Sequence, residues 1–253
     1  MIFSEHALIG RTILVTGASS GIGRATAILI SRCGGRVVAT GRDEARLSAT
    51  IEALSGQGHT HFVATLDDPD VVADRVTAVA MNLGGLSGIF HSAGNELILP
   101  ARLTKARNIE NVFGAAVFGA FGLARAAARS EVMHPNSSLV FMSSVAAQRG
   151  RTGMVGYSAA KSAIEGLTRS LACEMASKSI RVNAISAGGV QTEMHERLAN
   201  GLSEAGIANY ANQHLLGFGQ PDDVASAAVF LLSSATRWVT GSVLTVDGGY
   251  LAN

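Results

Sequence analysis

Seven short runs of β-branched and apolar residues recur along the chain, separated by longer stretches with helical periodicity. Near-continuous apolar strands that alternate with helices are typical of a parallel sheet covered by helices on both faces. Because crossovers between parallel strands are right-handed, the pattern predicts a Rossmann-like, doubly wound α/β fold. The predicted strands are Thr12–Thr16, Arg36–Thr40, His61–Thr65, Gly88–His91, Ser138–Met142, Ile180–Ile185 and Ser242–Val246.

This alternation continues along the whole chain, without a proline-rich or serine-rich linker, a charge block or an internal repeat. We therefore expect a single domain over residues 1–253. The connection over residues 193–219 is the exception, because it is long and carries little strand signal. Long inserted connections in compact domains are often lids or substrate loops. We expect a substrate-loop insertion around 193–219.

Composition argues against several classes of partner. Hydrophobic residues make up 47% of the chain and charged residues 15%, which indicates a large interior or surface reserved for other subunits. A formal net charge of +1 gives no electrostatic footprint for nucleic acid or an anionic membrane. The longest apolar stretch, Val112–Ala124, is too short to span a bilayer. We expect neither a nucleic-acid nor a membrane partner.

The first residues, Met1–His6, lack the basic and apolar regions of a signal peptide, so a cytoplasmic location is expected. Cys33 and Cys173 lie far apart in predicted helices, and no Cys or His stands at metal-ligand spacing. We expect two thiols in the core and no metal site.

A glycine-rich turn, Thr16-Gly-Ala-Ser-Ser-Gly-Ile-Gly23, follows the first predicted strand and precedes a helical pattern over Arg24–Cys33. Gly17 permits the tight turn, Gly21 lets the backbone approach a pyrophosphate, and Gly23 lets helix and strand pack closely. The helix N-terminus then faces the phosphates. This context predicts a dinucleotide site. Between the glycines, the turn adds Ser19, Ser20 and Ile22 to that site.

The end of the second predicted strand distinguishes the two nicotinamide cofactors. An acidic residue there would bond the ribose 2′-OH of NAD, whereas an arginine accommodates the 2′-phosphate of NADP. The strand ends Thr40-Gly41-Arg42, and Asp43 comes later, where we expect it to cap the next helix. The sequence favours NADP(H). NAD(H) is the alternative, with Arg42 a solvated turn residue, and Ser20 adds no second positive charge.

Tyr157 and Lys161 lie four residues apart in a helical run, and Ser144 closes an apolar stretch thirteen residues upstream of Tyr157. Residues at i and i+4 share one helix face, so the Lys161 ammonium can lie near the Tyr157 phenol. A unit charge about 5 Å away, at an effective dielectric of about 20, is worth on the order of 3 kcal/mol. This predicts a lowered pKa for Tyr157 and a role in proton transfer.

Taken together, these motifs resemble the short-chain dehydrogenase/reductase family, in the subgroup that includes 3-oxoacyl reductases. The resemblance covers almost the whole chain. Its motifs are Thr16–Gly23, the acidic turn from Asp67, His91-Ser-Ala-Gly94, Ser143-Ser144, Tyr157 with Lys161, Arg181-Val-Asn-Ala184, Gly188 with Val190 and Thr192, Pro221-Asp-Asp-Val224, Thr240-Gly241 and Val246-Asp-Gly-Gly249.

The resemblance implies a role for each matching residue. Ser144 would bond the substrate carbonyl, Tyr157 would give or take the proton, and Lys161 would bond the nicotinamide ribose while lowering the pKa of Tyr157. The implied cofactor contacts are Asp67, Asp68, Ser92, Ala93, Gly94, Gly188, Val190 and Thr192. A homotetramer is implied as well. The helices expected over Val112–Ala128 and Val155–Met175, rich in Ala and Gly, would supply its interfaces.

The chain also departs from the family pattern. Ala116 stands where the family has a catalytic Asn, and His91-Ser92 stands where it has Asn-Asn. The expected function is hydride transfer between NADP(H) and a small-molecule ketone or secondary alcohol. The alternative is a catalytically weak dinucleotide-binding scaffold or redox sensor with the same fold. Arg149 and Arg151 either meet an anionic substrate or are solvated loop charges.

Overall fold

A computed structural model describes residues 3–199 and 204–253, so residues 200–203 of the predicted substrate segment lie outside the described residues. Within them, the strands form one parallel sheet in the order β3-β2-β1-β4-β5-β6-β7. The strands are β1 (Thr12–Thr16), β2 (Arg36–Gly41), β3 (Thr60–Val63), β4 (Leu86–His91), β5 (Met133–Ser144), β6 (Arg181–Ala187) and β7 (Val243–Val246). The predicted Rossmann-like, doubly wound fold is confirmed.

Helices cover both faces of the sheet. They are α1 (Gly21–Arg32), α2 (Glu44–Glu52), α3 (Pro69–Asn82), α4 (Ala106–Phe113), α5 (Gly119–Ala127), α6 (Val155–Met175), α7 (Glu193–Ala199), α8 (Glu204–Asn212) and α9 (Pro221–Leu232). The uninterrupted helix expected over Val112–Ala128 is wrong, because a π-helical turn over Gly114–Phe118 joins α4 to α5. Asp43 caps α2, as predicted, by accepting a hydrogen bond from the Arg46 N–H.

The central strands send alternate side chains into two separate cores. Leu14, Ile89 and Phe141 pack on the face covered by α3, α5 and α6. Ile13 and Phe90 pack on the opposite face, against α1 and α9. Both sides of the sheet are therefore buried at its centre, which explains the continuous apolar runs in the central strands.

The strand order reverses between β1 and β4. From β1 the sheet runs outward through β2 to β3, and from β4 it runs the other way to β7. Thr16, the last residue of β1, lies in register with Thr40 on one side and His91 on the other. In open α/β sheets such a reversal leaves a crevice outside the carboxyl ends of the strands, where ligands bind.

The two cysteines differ in their surroundings. Cys33 is buried, but Cys173 is exposed, so the expectation of two core thiols is wrong for Cys173. In that turn of α6, Leu171 and Ala172 face the core instead. Among the described residues, no helix is long and apolar enough to cross a membrane. Within the same residues, no group of three His, Cys, Asp or Glu could hold a metal ion.

Candidate active site

A cleft of about 430 Å³ opens at the carboxyl ends of the central strands, a size typical of small-molecule sites. Most of the residues predicted from the sequence line it. They are Gly17, Ser19, Ser20, Gly21, Ile22, Arg42, Ser92, Ala93, Gly94, Ser144, Tyr157, Lys161, Gly188, Val190 and Thr192. Residues that are distant in sequence thus converge on one site.

The turn after β1 directs the N-terminus of α1 into this cleft. Gly17 has a φ of 64°, and a Cβ there would lie 2.9 Å from the backbone nitrogen of Ala93. A Cβ on Gly23 would lie 2.2 Å from the carbonyl oxygen of Gly17, so Gly23 packs the helix against the turn. Ser20 is the N-cap of α1, yet its side chain makes no capping hydrogen bond. The first amides of α1 are therefore available to an anion, which fits a pyrophosphate.

Two arginines line the end of the cleft beside β2. Arg42 was predicted from its place after the strand, whereas Arg46 was missed. Arg46 lies one helical turn further on, and its guanidinium contacts the Glu193 carboxylate at the start of α7. Arg46 could have been predicted from its spacing, because it lies four residues after Arg42 across the start of α2. This end of the cleft therefore contains a second arginine besides Arg42, and in this structure its charge is paired with Glu193.

The acidic turn after β3 lies beside the cleft. Of the described residues there, Ala64 and Leu66 line the cleft, and Asp67 and Asp68 do not. One carboxylate oxygen of Asp68 accepts hydrogen bonds from the backbone N–H groups of Asp70 and Val71, at 2.9 and 3.1 Å. Asp68 is thus the N-cap of α3, a role that its position before Pro69 explains.

Ser144 ends β5, and Tyr157 and Lys161 come from the first two turns of α6. Lys161 is 7% exposed, and its Nζ lies 5.6 Å from the centre of the Tyr157 ring. The amine donates a 2.9 Å hydrogen bond to the carbonyl oxygen of Met142. Burial lowers the pKa of Lys161 to about 8.

The predicted lowering of the Tyr157 pKa is wrong. Burial, the largest influence, raises that pKa to about 12. A hydrogen bond with Ser144 acts in the opposite direction, and the nearby Tyr210 and Glu96 raise the pKa further. The prediction considered the effect of a nearby cation on the pKa, but not the effect of removing the phenol from water. It also overlooked that the Lys161 amine bonds a backbone carbonyl.

The turn after β4 is fixed by a hydroxyl at the end of β1. Thr16 Oγ1 accepts hydrogen bonds from the backbone N–H groups of Ser92 and Ala93, both at 3.2 Å. The same oxygen lies 2.8 Å from Nδ1 of His91. The small residues Ser92 to Gly94 are thereby held against the glycine-rich turn, although the family's two asparagines are absent from this motif.

Residues that sequence reasoning missed form the outer side of the cleft. Glu96 and Arg197 both line the cleft and form an ion pair, with Nε of Arg197 2.8 Å from the carboxylate. His195 and Tyr210, from α7 and α8, line the cleft near them. Both belong to the segment predicted to shape the substrate pocket. Two aromatic rings in an otherwise polar connection could have indicated that these residues line a binding site.

The two arginines in the loop before α6 have different surroundings. Arg149 donates hydrogen bonds to the carbonyl oxygens of Tyr250 and Asn253, at 2.8 and 3.1 Å, and stacks on the Tyr250 ring. It therefore binds the end of its own chain. The guanidinium of Arg151 lies 4.1 Å from the centre of the Tyr210 ring.

Comparison with known proteins assigns the family. A family model described as enoyl-(acyl carrier protein) reductase matches residues 17–251. A 3-oxoacyl-[acyl-carrier-protein] reductase from Thermotoga maritima is 31% identical over 96% of this chain and 98% of its own. A 2,5-dichloro-2,5-cyclohexadiene-1,4-diol dehydrogenase from Sphingobium indicum is 36% identical over 97% and 98%. The chain belongs to the short-chain dehydrogenase/reductase family.

A solved structure is similar over the whole fold. It is an Agrobacterium tumefaciens protein with bound NADP, and it superposes with a TM-score of 0.85 at 29% identity. The alignment covers 98% of this chain and 99% of that one. Relatives with this fold are thus oxidoreductases of the same family, and one of them binds NADP.

Proposed function

We propose that the protein is an NADP(H)-dependent carbonyl reductase or, in reverse, an alcohol dehydrogenase for a small-molecule substrate. The observation that carries the proposal is the convergence of Ser144, Tyr157 and Lys161 on the cleft that receives the N-terminus of α1. Reduction of a carbonyl by a dinucleotide couples a hydride to a proton, so a proton-transfer group beside a phosphate-binding helix end fits this reaction. The similar proteins, an oxoacyl reductase and a diol dehydrogenase, support this class.

The lining residues fit a dinucleotide phosphate. Backbone amides from Gly17 to Ile22 would hold the pyrophosphate, and Arg42 and Arg46 would hold the 2′-phosphate. The loop over Gly188–Thr192 would lie beside the nicotinamide, and that group supplies the hydride when bound. The predicted contacts at Asp67 and Asp68 remain a proposal for the adenine end.

The chain's own residues handle the proton. Ser144 donates a hydrogen bond to the carbonyl oxygen of the substrate, and Tyr157 gives its proton to the same oxygen. Because burial raises its pKa to about 12, Tyr157 is protonated at neutral pH, which favours reduction. Lys161, held by the Met142 carbonyl, stabilises the phenolate that forms.

A turnover assay with matched tyrosine variants tests the proposal. NADPH and NADH consumption would be followed with a panel of ketones, and the reverse reaction with secondary alcohols. Tyr157→Phe should lower kcat by more than about a hundredfold and leave NADPH affinity nearly unchanged, because only the proton-bearing oxygen is removed. Tyr210→Phe, the control in the same cleft, should lower kcat by less than about tenfold. A Tyr157→Phe enzyme that kept more than about a tenth of kcat would overturn the assignment.

We further propose that the chain works as one catalytic domain within a homotetramer, with the described part of the 193–219 segment over the substrate. Exposed apolar side chains on α5 and α6 support the assembly, since Phe121 is 52% exposed and Val155 57%. The cytoplasmic location stays a prediction. The scaffold alternative predicts NADPH binding without turnover of any ketone in the panel.

A further inference from the structure

The loop after β6 is bonded to the end of the inserted segment through both backbone groups of Gly189. Its N–H donates a 2.9 Å hydrogen bond to Nε2 of His214. Its carbonyl accepts a 3.0 Å hydrogen bond from the N–H of Gly219, and the Gln191 N–H bonds the Gly219 carbonyl at 2.8 Å. The backbone that lines the cleft at this point is therefore held by residues about 25 positions further along the chain.

His214 is fixed in one tautomer by its two partners. The side chain is 3% exposed, and Nδ1 lies 2.9 Å from the carbonyl oxygen of Tyr210. A carbonyl only accepts, so Nδ1 carries the proton and Nε2 is the acceptor for Gly189. Aromatic rings surround the imidazole, with the centre of the Tyr250 ring 4.7 Å away and that of Phe218 5.2 Å away.

The packing at Gly189 leaves little room for the loop to shift. A Cβ at this position would lie 2.8 Å from Cδ1 of Phe218 and 3.1 Å from Nε2 of His214. Gly189 lines the cleft together with its neighbours Gly188 and Val190. Its φ is outside the left-handed region, so close approach rather than backbone conformation requires glycine here.

We infer that His214 is a positioning residue, which sets the backbone of Gly188–Val190 on the nicotinamide side of the cleft through the Gly189 N–H. The inference rests on the proposed function, because this position matters only where a nicotinamide binds. Loss of the Nε2 acceptor leaves a buried N–H without its partner and releases the loop. Cofactor affinity and kcat then fall together.

Three substitutions separate the hydrogen bond from the packing. His214→Gln places an amide oxygen near the position of Nε2 and keeps an acceptor for Gly189. His214→Asn places its amide near Nδ1 and loses that acceptor, and His214→Phe keeps an aromatic ring but neither hydrogen bond. Amide hydrogen exchange at Gly189, the dissociation constant of NADPH and kcat would be measured for each.

In His214→Asn and His214→Phe, we expect exchange at Gly189 to rise, NADPH affinity to fall and kcat to fall, each by about tenfold or more. His214→Gln should stay within about threefold of the wild type in all three. Unchanged exchange in His214→Phe would overturn the inference. So would faster exchange with wild-type NADPH affinity and kcat, because the bond would then be purely structural.

A second variant tests the same loop if substitution of His214 prevents folding. Gly189→Ala should weaken NADPH binding by about tenfold, because its methyl group meets Phe218 and His214. Gly166→Ala is the matched control, since nothing lies within 4 Å of a Cβ there. Wild-type affinity in Gly189→Ala would overturn the inference. If every variant binds NADPH but no ketone is reduced, the proposed function fails, and the exchange and affinity data still decide the role of His214.

Discussion

Nε2 of His91 donates a 2.9 Å hydrogen bond to the carbonyl oxygen of Ala116, in the π-helical turn between α4 and α5. Burial, the largest influence, lowers the pKa of His91 to about 4, so the ring is neutral. With its proton on Nε2, Nδ1 accepts a hydrogen bond from the Thr16 hydroxyl. Two of the positions at which this chain departs from the family pattern, 91 and 116, are therefore in direct contact.

Ala116 also lies close to Lys161, the lysine proposed to act in catalysis. A Cβ at Gly94 would be 3.5 Å from the Ala116 Cβ and 3.8 Å from Nζ of Lys161. We expect Ala116→Asn to change kcat by less than about fivefold in steady-state assays. The Ala116 carbonyl has a second lone pair, and water bound there can be nearly as good as a direct bond. A cofactor-bound crystal structure should show that water near Lys161.

A substitution at Asn111 is the control for the same question. Its side-chain oxygen accepts a 3.0 Å hydrogen bond from Asn95, so it does not replace the missing asparagine. Asn111→Ala should therefore leave kcat within about twofold of the wild type. A gain of tenfold or more in Ala116→Asn, with a dry site near Lys161, would show instead that proton resupply is impaired.

Cofactor choice is expected to depend on two arginines. NADP(H) should bind at least about tenfold more tightly than NAD(H), because charge-assisted contacts to phosphate are strong. Arg42→Ala and Arg46→Ala should each reduce this ratio, with little effect on NAD(H) affinity. Calorimetry on both cofactors measures it, and Arg32→Ala, in the last turn of α1, is the control. Equal affinities in the wild type would refute the assignment.

The buried amine of Lys161 should make stability depend on pH. Its pKa is about 8 in the folded protein against 10.5 when unperturbed, so between these values the unfolded chain binds the proton and the folded chain does not. The free energy of unfolding should therefore rise with pH across this window, by about 3 kcal/mol at most.

Lys161→Met removes the titrating amine and with it this pH dependence. The free energy of unfolding of the variant should exceed that of the wild type by the largest amount below about pH 8. Urea unfolding at a fixed protein concentration, from about pH 7 to pH 10, measures the difference. Lys178→Met, at an exposed lysine, is the control. A constant difference between Lys161→Met and the wild type over this range would show that the amine is hydrated.

The assembly should depend on the exposed apolar side chains of α5 and α6. Light scattering at micromolar concentration should give four times the 26.0 kDa mass of one chain. Phe121→Asp should lower that mass, because a charge cannot be buried unpaired in an interface. Met81→Asp, on the exposed side of α3, should not. A wild-type monomer would exclude the homotetramer.

Local patterns were enough to predict the sheet and the glycine-rich side of the cleft, whereas the contacts at residues 92–94 and 188–192 were implied by the family resemblance. Residues only a few positions apart in the sequence identify the turn around Gly17, the helix that carries Tyr157 and the arginine after β2. Strand, turn and helix periodicity is readable over such distances. The capping of α3 by Asp68 is also determined locally, since an aspartate before a proline is a typical helix cap.

Properties that depend on distant neighbours were not predictable in this way. The pKa of Tyr157 is raised mainly by burial and also by electrostatic interaction with Tyr210, which is far away in sequence. The partner of Arg46, Glu193, and the exposure of Cys173 likewise depend on how the helices pack. A single sequence shows residue types, whereas desolvation and pairing arise only in the folded chain.

Helix α7 is tethered on both sides of the cleft, by Glu193 to Arg46 and by Arg197 to Glu96. The arginine side chains of these pairs are 43% and 58% exposed, so dissolved salt screens them. If the proposed dinucleotide binds in this cleft, opening of one of these ion pairs would ease its release. The residence time of the dinucleotide should therefore shorten as ionic strength rises. Where dinucleotide release is the slow step, these surface charges would then limit kcat.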